Sequence, residues 1–372
     1  MGEILQPRDE ADVADIIAAR REPLEIVGAG SKRAIGRAGS ADVLDLTALH
    51  GIVDYEPGEL VLTARAATKM TVVAQALADR GQRLAFEPPD FAQLLGTSAV
   101  PTLGGVIAAN ISGSRRLTAG AARDHFLGCR AVSGEGERFR AGGRVVKNVT
   151  GYDLPKLLAG SWGTLAVLTE ITMRVHPAAE CERTLILPAR NPRDISVIFR
   201  RALGSDCDVS GAASIDGRDA ALRLEGVAPS VRAREADLLT LLAPSEVRTL
   251  EGAESLRFWR AIGSADALAA EPVVWRLAVT ASDAPAVLEA LMPRRFIMDW
   301  GGALLWIGGV EVDAPRVRAA IGAGHATLVK AGAAARAANC VFQPQPAPLA
   351  ALGARLKAAF DPHGRLNPGR MS

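Results

Sequence analysis

Between Asp9 and Arg21 the apolar residues Val13, Ile16 and Ile17 share one helical face, Asp9 stands where an N-cap belongs, and Pro23 ends the run. A helix is predicted there. The run LEIV at 24–27 reads as a short strand and leads directly into the glycine-rich GAGSKRAIG. Extended runs recur at 43–46 (VLDL) and 59–66 (ELVLTARA), and a helix is predicted from Thr71 to Arg80, closed by Gly81. PTLGGVIAANISG at 101–113 is small and apolar, and LAVLTEITMRV at 165–175 alternates as a strand does.

After Pro177 the rhythm changes. Strands are predicted at TLILP, ALRLEG, VVWRLAV, RFIMDW and ALLWIGG, with helices near 192–203, 230–242, 284–292 and 314–322, which describes a separate α+β unit. Trp259, Trp275, Trp300 and Trp306 fall in this unit at positions that suit core packing better than a partner-facing patch. The segment QPQPAP at 343–348 leads into a last helix carrying Leu349, Leu352 and Leu356, and the chain closes on FDPHGRLNPGRM.

Composition narrows the class. At 372 residues and 49% apolar content the chain has room for two or three packed units and is not a disordered protein. The 43 basic and 41 acidic residues nearly cancel, so no nucleic-acid partner is expected. The scarcity of lysine fits codon bias rather than chemistry. Cys129, Cys181, Cys207 and Cys340 are scattered, without the spacing of a zinc or iron-sulfur site, and no metal site is expected. The first residues carry charges where a signal peptide needs an apolar stretch, and the longest apolar runs fall far short of a bilayer span. The chain therefore reads as a cytoplasmic protein, with at most peripheral contact at the inner face of a membrane.

Three glycine-bearing loops hold the candidate chemistry. Gly28, Ala29, Gly30, Ser31 and Lys32 follow a strand, but Gly36 stands six residues after Gly30 and no long helix starts there, so the Rossmann fingerprint fails. What remains is a tight turn of adjacent N–H groups able to surround a pyrophosphate, aided by the Ser31 hydroxyl and the Lys32 charge, although an ordinary turn has the same sequence. Gly104 and Gly105 permit close backbone approach to a flat or charged group, or equally a close helix contact, with Asn110 as a polar tip. Gly160, Gly163 and Thr164 form the third loop. Three such loops in one stretch point to an extended cofactor lying across several strands.

VGAGSKRAIG, GGVIAANISG, RDHFLG, GGRVVKNVTGYDLPKLLAGSWGTLAVLTEITMRV and the terminal DPHGRLNPGRM resemble the family of FAD-binding E subunits of glycolate oxidase, which are flavoproteins of the vanillyl-alcohol-oxidase or PCMH type. The likeness is dense over 1–177 and at the last dozen residues, and thin between. It implies an α+β fold with an FAD-binding PCMH-type domain of two α+β subdomains at 1–177, a reduced α+β cap at 178–342, and a C-terminal helix and tail at 343–372 packing on the FAD domain. It further implies that Gly28 to Lys32 hold the FAD pyrophosphate. Thr102, Gly104, Gly105 and the turn from Asn110 to Gly113 would lie near the flavin and ribityl chain, Gly163 and Thr164 on the adenine side, and Asn367 by the isoalloxazine edge. The family works with a homologous FAD-binding D-type subunit and an iron-sulfur F-type subunit, on a small 2-hydroxy acid.

Oxidising a 2-hydroxy acid calls for a cation to hold the carboxylate and a base or metal to take the hydroxyl proton. Arg115, Arg116 and His125 are the candidates, with Arg123 also in reach. His125 suits a base or a structural histidine pinned in a turn; the arginines suit substrate, phosphate or solvent. The histidine-rich metal site and Gly-Glu-His-Gly turn of catalytic relatives have no counterpart, since His50, His125, His176, His325 and His363 do not cluster. Two readings follow: an active glycolate site, or an FAD-binding electron-transfer and assembly subunit without independent turnover. A stand-alone D-lactate-type dehydrogenase is a further alternative.

Overall fold

The computed structural model describes residues 2–37, 41–144 and 151–371; VVKNVT at 145–150, within the motif GGRVVKNVTGYD, lies outside them. The helix Glu10–Ala19 forms as predicted, with the Asp9 carboxylate accepting from Asp12 N. It lays Val13 and Ile17 on a small parallel sheet ordered Ile4–Leu5, Asp42–Asp45, Leu24–Val27. A second, antiparallel sheet runs Ile52–Glu56, Val61–Arg65, Ala166–Arg174, Phe126–Ser133, Arg138–Gly142. Val73 and Leu77 of the helix Met70–Ala78 and Val106 and Ile107 of the helix Leu103–Ala109 fill its core. The terminal tail ties back to the first sheet, because Leu24 N donates to Arg365 O at 2.8 Å and Asn367 N to Leu24 O at 2.9 Å.

The third sheet has eight antiparallel strands, all drawn from residues 181–330, with Cys181–Pro188, Asp219–Gly226, Gly211–Ile215, Arg295–Asp299, Leu304–Gly308 and Val274–Ala278 forming its middle. Strand alternation sends Trp275 and Leu277 toward the helices Pro192–Leu203, Ala228–Leu242, Ala284–Leu291 and Ala314–Ile321. The opposite face, with Val274, Ile297, Leu304 and Trp306, packs on Ile35, Phe91 and Leu94 of the first part of the chain. The sheet is thus covered on both sides, and charged residues on its strands are interior.

Most of these charges are paired. Arg223, fully buried, donates from both Nη atoms to Glu87 at 2.8 and 3.0 Å and lies 4.4 Å from the centre of the Trp259 ring. Glu225 accepts from Arg115 Nε and Nη2 at 2.7 and 2.6 Å and from Arg83 at 2.5 Å. Burial pushes its carboxyl up, but Arg223, Arg115 and Arg83 outweigh that and hold it well below the usual carboxylate range. Glu182, bonded by Arg115 and Ser255, completes a network that pins the third sheet to the first part of the chain.

The last helix, Ala347–Phe360, touches the body at its C-terminal end, where Phe360 meets Phe139 and Lys357 Nζ donates to Thr164 O at 2.6 Å. Leu349 and Leu352 face solvent.

Candidate functional site

A cleft opens between the first two sheets. Counting the open space at its mouth, about 840 Å³ lies between its walls. Its walls carry Gly28, Ala29, Gly30, Ser31, Lys32, Thr102, Gly104, Gly105, Gly163 and Asn367, so ten of the expected cofactor residues converge from four separate segments.

The loop after Val27 is shaped as a donor-rich turn. Arg33 N donates to Gly30 O at 3.1 Å and Ile35 N to Lys32 O at 3.0 Å, which leaves the N–H groups of Ala29 to Lys32 without a protein acceptor among the described residues. Adjacent free N–H groups in a turn that lines a cleft suit an anionic acceptor from outside the chain. Gly30 has φ +77°, the left-handed region that a glycine enters without strain. Lys32 is 8% exposed and its Nζ has one polar neighbour, Ser31 Oγ at 3.5 Å. Burial lowers its pKa to about 8, and Asp90 recovers only part of that. A desolvated ammonium without a carboxylate partner asks for an anion.

Close packing shapes the opposite wall. Thr102 caps the helix Leu103–Ala109, its Oγ1 accepting from Gly105 N at 3.3 Å. A Cβ on Gly28 would lie 2.6 Å from that Oγ1, and one on Gly104 would lie 2.9 Å from Ala66 O. Asn367 bridges the two walls: Oδ1 accepts from Ile26 N at 2.8 Å and Nδ2 donates to Trp162 O at 2.7 Å. Arg370, missed at the sequence level although it sits in the terminal NPGRM, lines the cleft, donates to Lys32 O at 2.9 Å and lies over the Trp162 ring. Glu25, Arg33 and Trp162 were missed as well; position next to the glycine loops was their only signal.

Three expected cofactor residues sit behind this surface. Asn110, at φ 48°, ends the helix Leu103–Ala109 and accepts from Arg123 N at 3.0 Å. Gly113 packs on Glu87, and its carbonyl accepts from Trp300 Nε1 at 3.0 Å. The Thr164 hydroxyl donates to Ser161 O at 2.6 Å.

The expected catalytic trio is not brought together at the cleft. Arg115 is committed to Glu225, Glu182 and Glu87, which leaves its guanidinium no face for a substrate. His125 is fully buried, with Nε2 bonded to Ala119 O at 2.8 Å and its ring against Phe86 and His176. Burial lowers its pKa, so it is a neutral core imidazole with no path to a substrate proton. Arg116 differs: among the described residues its guanidinium has no hydrogen-bond or ion-pair partner, and it lies 4.8 Å from the centre of the Trp300 ring. Among the described residues no group of three or more His, Cys, Asp or Glu side chains is arranged to hold a metal. No helix among them is long and apolar enough to cross a membrane.

Residues 3–142 match the family model described as an FAD binding domain. Over 356 residues the chain is 36% identical to glycolate oxidase subunit GlcE of Escherichia coli strain K12, spanning 94% of this chain and 93% of that protein. Glycolate oxidase subunit GlcD of Bacillus subtilis is 29% identical over 188 residues, 49% of this chain and 38% of that protein. Among solved structures, an alkyldihydroxyacetonephosphate synthase superposes over 98% of this chain and 75% of its own, with a TM-score of 0.70 at 13% identity, a likeness of fold alone.

Proposed function

The chain belongs to the family of the glycolate oxidase subunit GlcE, and from that membership we propose that it is the FAD-binding subunit of a glycolate oxidase complex, taking part in the oxidation of glycolate to glyoxylate. The observation that carries the reading is the cleft, lined by Ala29 to Lys32, where the backbone N–H groups of that turn have no acceptor among the described residues and the Lys32 ammonium has no carboxylate partner. The turn from Gly28 to Lys32 holds the pyrophosphate, with the ammonium on its charge. Thr102, Gly104 and Gly105 form the floor for the ribityl chain and flavin, and Gly163 flanks the adenine side. Asn110, Gly113 and Thr164 act behind the wall by fixing its turns, while Asn367 locks the two walls at the isoalloxazine edge. When bound, FAD supplies the acceptor for the electrons leaving the alcohol carbon.

Within the complex the chain works beside a D-type flavoprotein subunit and an iron-sulfur F-type subunit, in the cytoplasm or at the inner face of the membrane. The electron-carrying and assembly role draws support from His125 and Arg115, since the residues expected to act as base and as carboxylate anchor are spent on the core. The test is to purify the chain, release its flavin with acid, and add glycolate without oxygen, first to the chain alone and then with a D-type subunit. A flavin band that bleaches only with the partner supports the electron-carrying role; prompt bleaching by the chain alone assigns turnover to this subunit. A chain that takes up no flavin even from added FAD refutes the proposal.

A further inference from the structure

The helix Ala347–Phe360 buries no residue. At 1.5 Å per residue it extends about 21 Å, yet its contacts with the body are at its C-terminal end, through Phe360 and Lys357. Every residue from 344 to 355 is exposed, Leu349 at 54% and Leu352 at 44%, and a Cβ on Gly353 would meet nothing within 4 Å. The run APLAALGA at 347–354 has no polar side chain on any face. A helix that is apolar all round is ordinarily a buried one, and so short a helix left in water is marginal. Leu349, Leu352 and Leu356 stand at i, i+3 and i+7, one stripe along the helix with the spacing that anchors a helix in a groove.

The charge carried by this segment has one sign. From 331 to 360 the chain has no acidic residue, and its charges are Arg336, Arg355 and Lys357. Arg336 donates to Ala34 O and Gly36 O, and Lys357 to Thr164 O, Leu366 O and the Asp361 carboxylate. Arg355 is exposed and has no hydrogen-bond or ion-pair partner among the described residues. The helix start adds to the positive side, since no side chain caps it and no acid stands in its first turn.

Charge and shape together discriminate between covers. A second copy would set Arg355 against Arg355 in a parallel pair, or against the uncapped helix start in a pair antiparallel about the exposed middle, and both arrangements repel. A membrane surface holds helices that join an apolar face to a polar one rich in lysine and arginine, and APLAALGA has no polar face. A groove in another protein, apolar within and edged by carboxylates, meets both the leucine stripe and the unpaired Arg355. The helix also runs directly into the tail of the cleft: Asp361 accepts from Arg365 N at 3.0 Å and Leu366 N at 2.7 Å, and Asn367 and Arg370 follow on the cleft wall. Met371, exposed, lies against Thr164 beside the Lys357 anchor and carries the apolar surface toward the cleft. A protein seated on the helix therefore stands beside the cofactor site, where electrons would pass between subunits.

We propose that Ala347–Phe360 is the docking helix for the D-type flavoprotein subunit, with Leu349 and Leu352 seated in an apolar groove of that subunit and Arg355 on a carboxylate at its edge. The identity of the partner rests on the reading of the chain as a glycolate oxidase subunit, whereas the surface itself rests on the uncovered helix. Burial of the leucines supplies most of the affinity, and the single paired charge makes the contact sensitive to salt.

The test is association of the FAD-saturated full-length chain with the purified D-type subunit, followed by analytical ultracentrifugation and by hydrogen exchange. Binding should slow exchange at the amides of 349–356, and affinity should fall as salt rises. Leu349→Gln and Leu352→Gln should each weaken association about 10-fold, and the two together about 100-fold, as the leucines lose their burial. Leu352→Met should bind as wild type does. Arg355→Glu should weaken association about 10-fold at low salt and make higher salt favourable. Because these side chains are exposed, the variants should keep the melting temperature and FAD content of wild type, which a structural role would not allow. Equal affinity in the double leucine variant, or unchanged exchange at 349–356 in the complex, overturns the proposal. So does a chain that dimerises through this helix, Leu352-dependent binding to vesicles of phosphatidylglycerol and phosphatidylcholine, or docking of the iron-sulfur subunit on the helix in place of the D-type subunit. Should the double variant fail to fold, Arg355→Glu decides. A wild-type chain that holds FAD but associates with no D-type subunit sinks the subunit reading itself, whereas association that ignores every helix variant sinks this surface alone.

Discussion

Replacing Lys32 by methionine should act with opposite sign on the empty and the loaded protein. The side chain is 8% exposed and has no carboxylate within salt-bridge reach among the described residues. Its pKa falls from 10.5 to about 8, and at about 1.36 kcal/mol per tenfold change in protonation the buried charge costs the apoprotein on the order of 3 kcal/mol. Methionine fills nearly the same volume without that cost, so the Lys32→Met apoprotein should be more stable near neutral pH. The pH dependence fixes the sign. Because the folded pKa is depressed, the unfolded chain binds more protons between about 8 and 10.5, and wild-type stability should rise through that window. In the variant this rise disappears. FAD affinity should move the other way, falling about 10- to 150-fold with the loss of a charge-assisted bond worth about 1.5–3 kcal/mol. Urea unfolding of the apoprotein at pH 7 and pH 10, beside a fluorescence titration with FAD, measures both. A variant that is less stable when empty and binds FAD as tightly as wild type refutes the assignment of Lys32 to an anion.

Asn367→Ala removes both side-chain bonds between the cleft walls and places alanine at φ 44°; it should cost about 1–3 kcal/mol by denaturant unfolding and loosen FAD in the same titration. Glu225→Gln strips charge from beside Arg115, Arg223 and Arg83 and should destabilise by about 3–5 kcal/mol, read as a lower urea midpoint. His176 has its pKa lowered to about 4 and His125 is lowered too, both chiefly by burial, so the unfolded state takes up protons first. Stability should therefore fall as pH drops from about 6.5 toward 4, and His176→Gln should flatten that slope.

The parts of the site that rest on backbone shape were legible in the sequence. A strand running into Gly28 and Gly30, the pair Gly104 and Gly105, and the terminal NPGRM announce turns and close approaches through residue type alone. Interior charge was not legible. Arg276 in VVWRLAV, like Arg223 and Glu225 in ALRLEG, occupies an alternate position that in a one-sided sheet would face water. Only the burial of the third sheet on both faces turns those positions inward, and that is set by contacts with Ile35, Phe91 and Leu94 more than a hundred residues earlier. Long-range packing also explains Arg115, and a local turn explains His125. Their loop sequence suits a substrate contact, but Glu182 and Glu225 arrive from distant strands to claim the arginine, and the Ala119 carbonyl holds the imidazole. Arg370 lies in the terminal NPGRM, but its role depends on the tail returning to Lys32, which residue type alone does not announce.

FAD should occupy the cleft between the first two sheets. Hydrogen exchange of the full-length chain, compared with and without saturating FAD, tests that directly. One FAD per chain should slow exchange at the amides of Ala29 to Lys32, with further protection in 102–108, 161–163 and 366–371, and Lys32→Met should weaken the effect at equal FAD concentration. FAD binding that leaves the Ala29 to Lys32 amides exchanging at their ligand-free rate would contradict it.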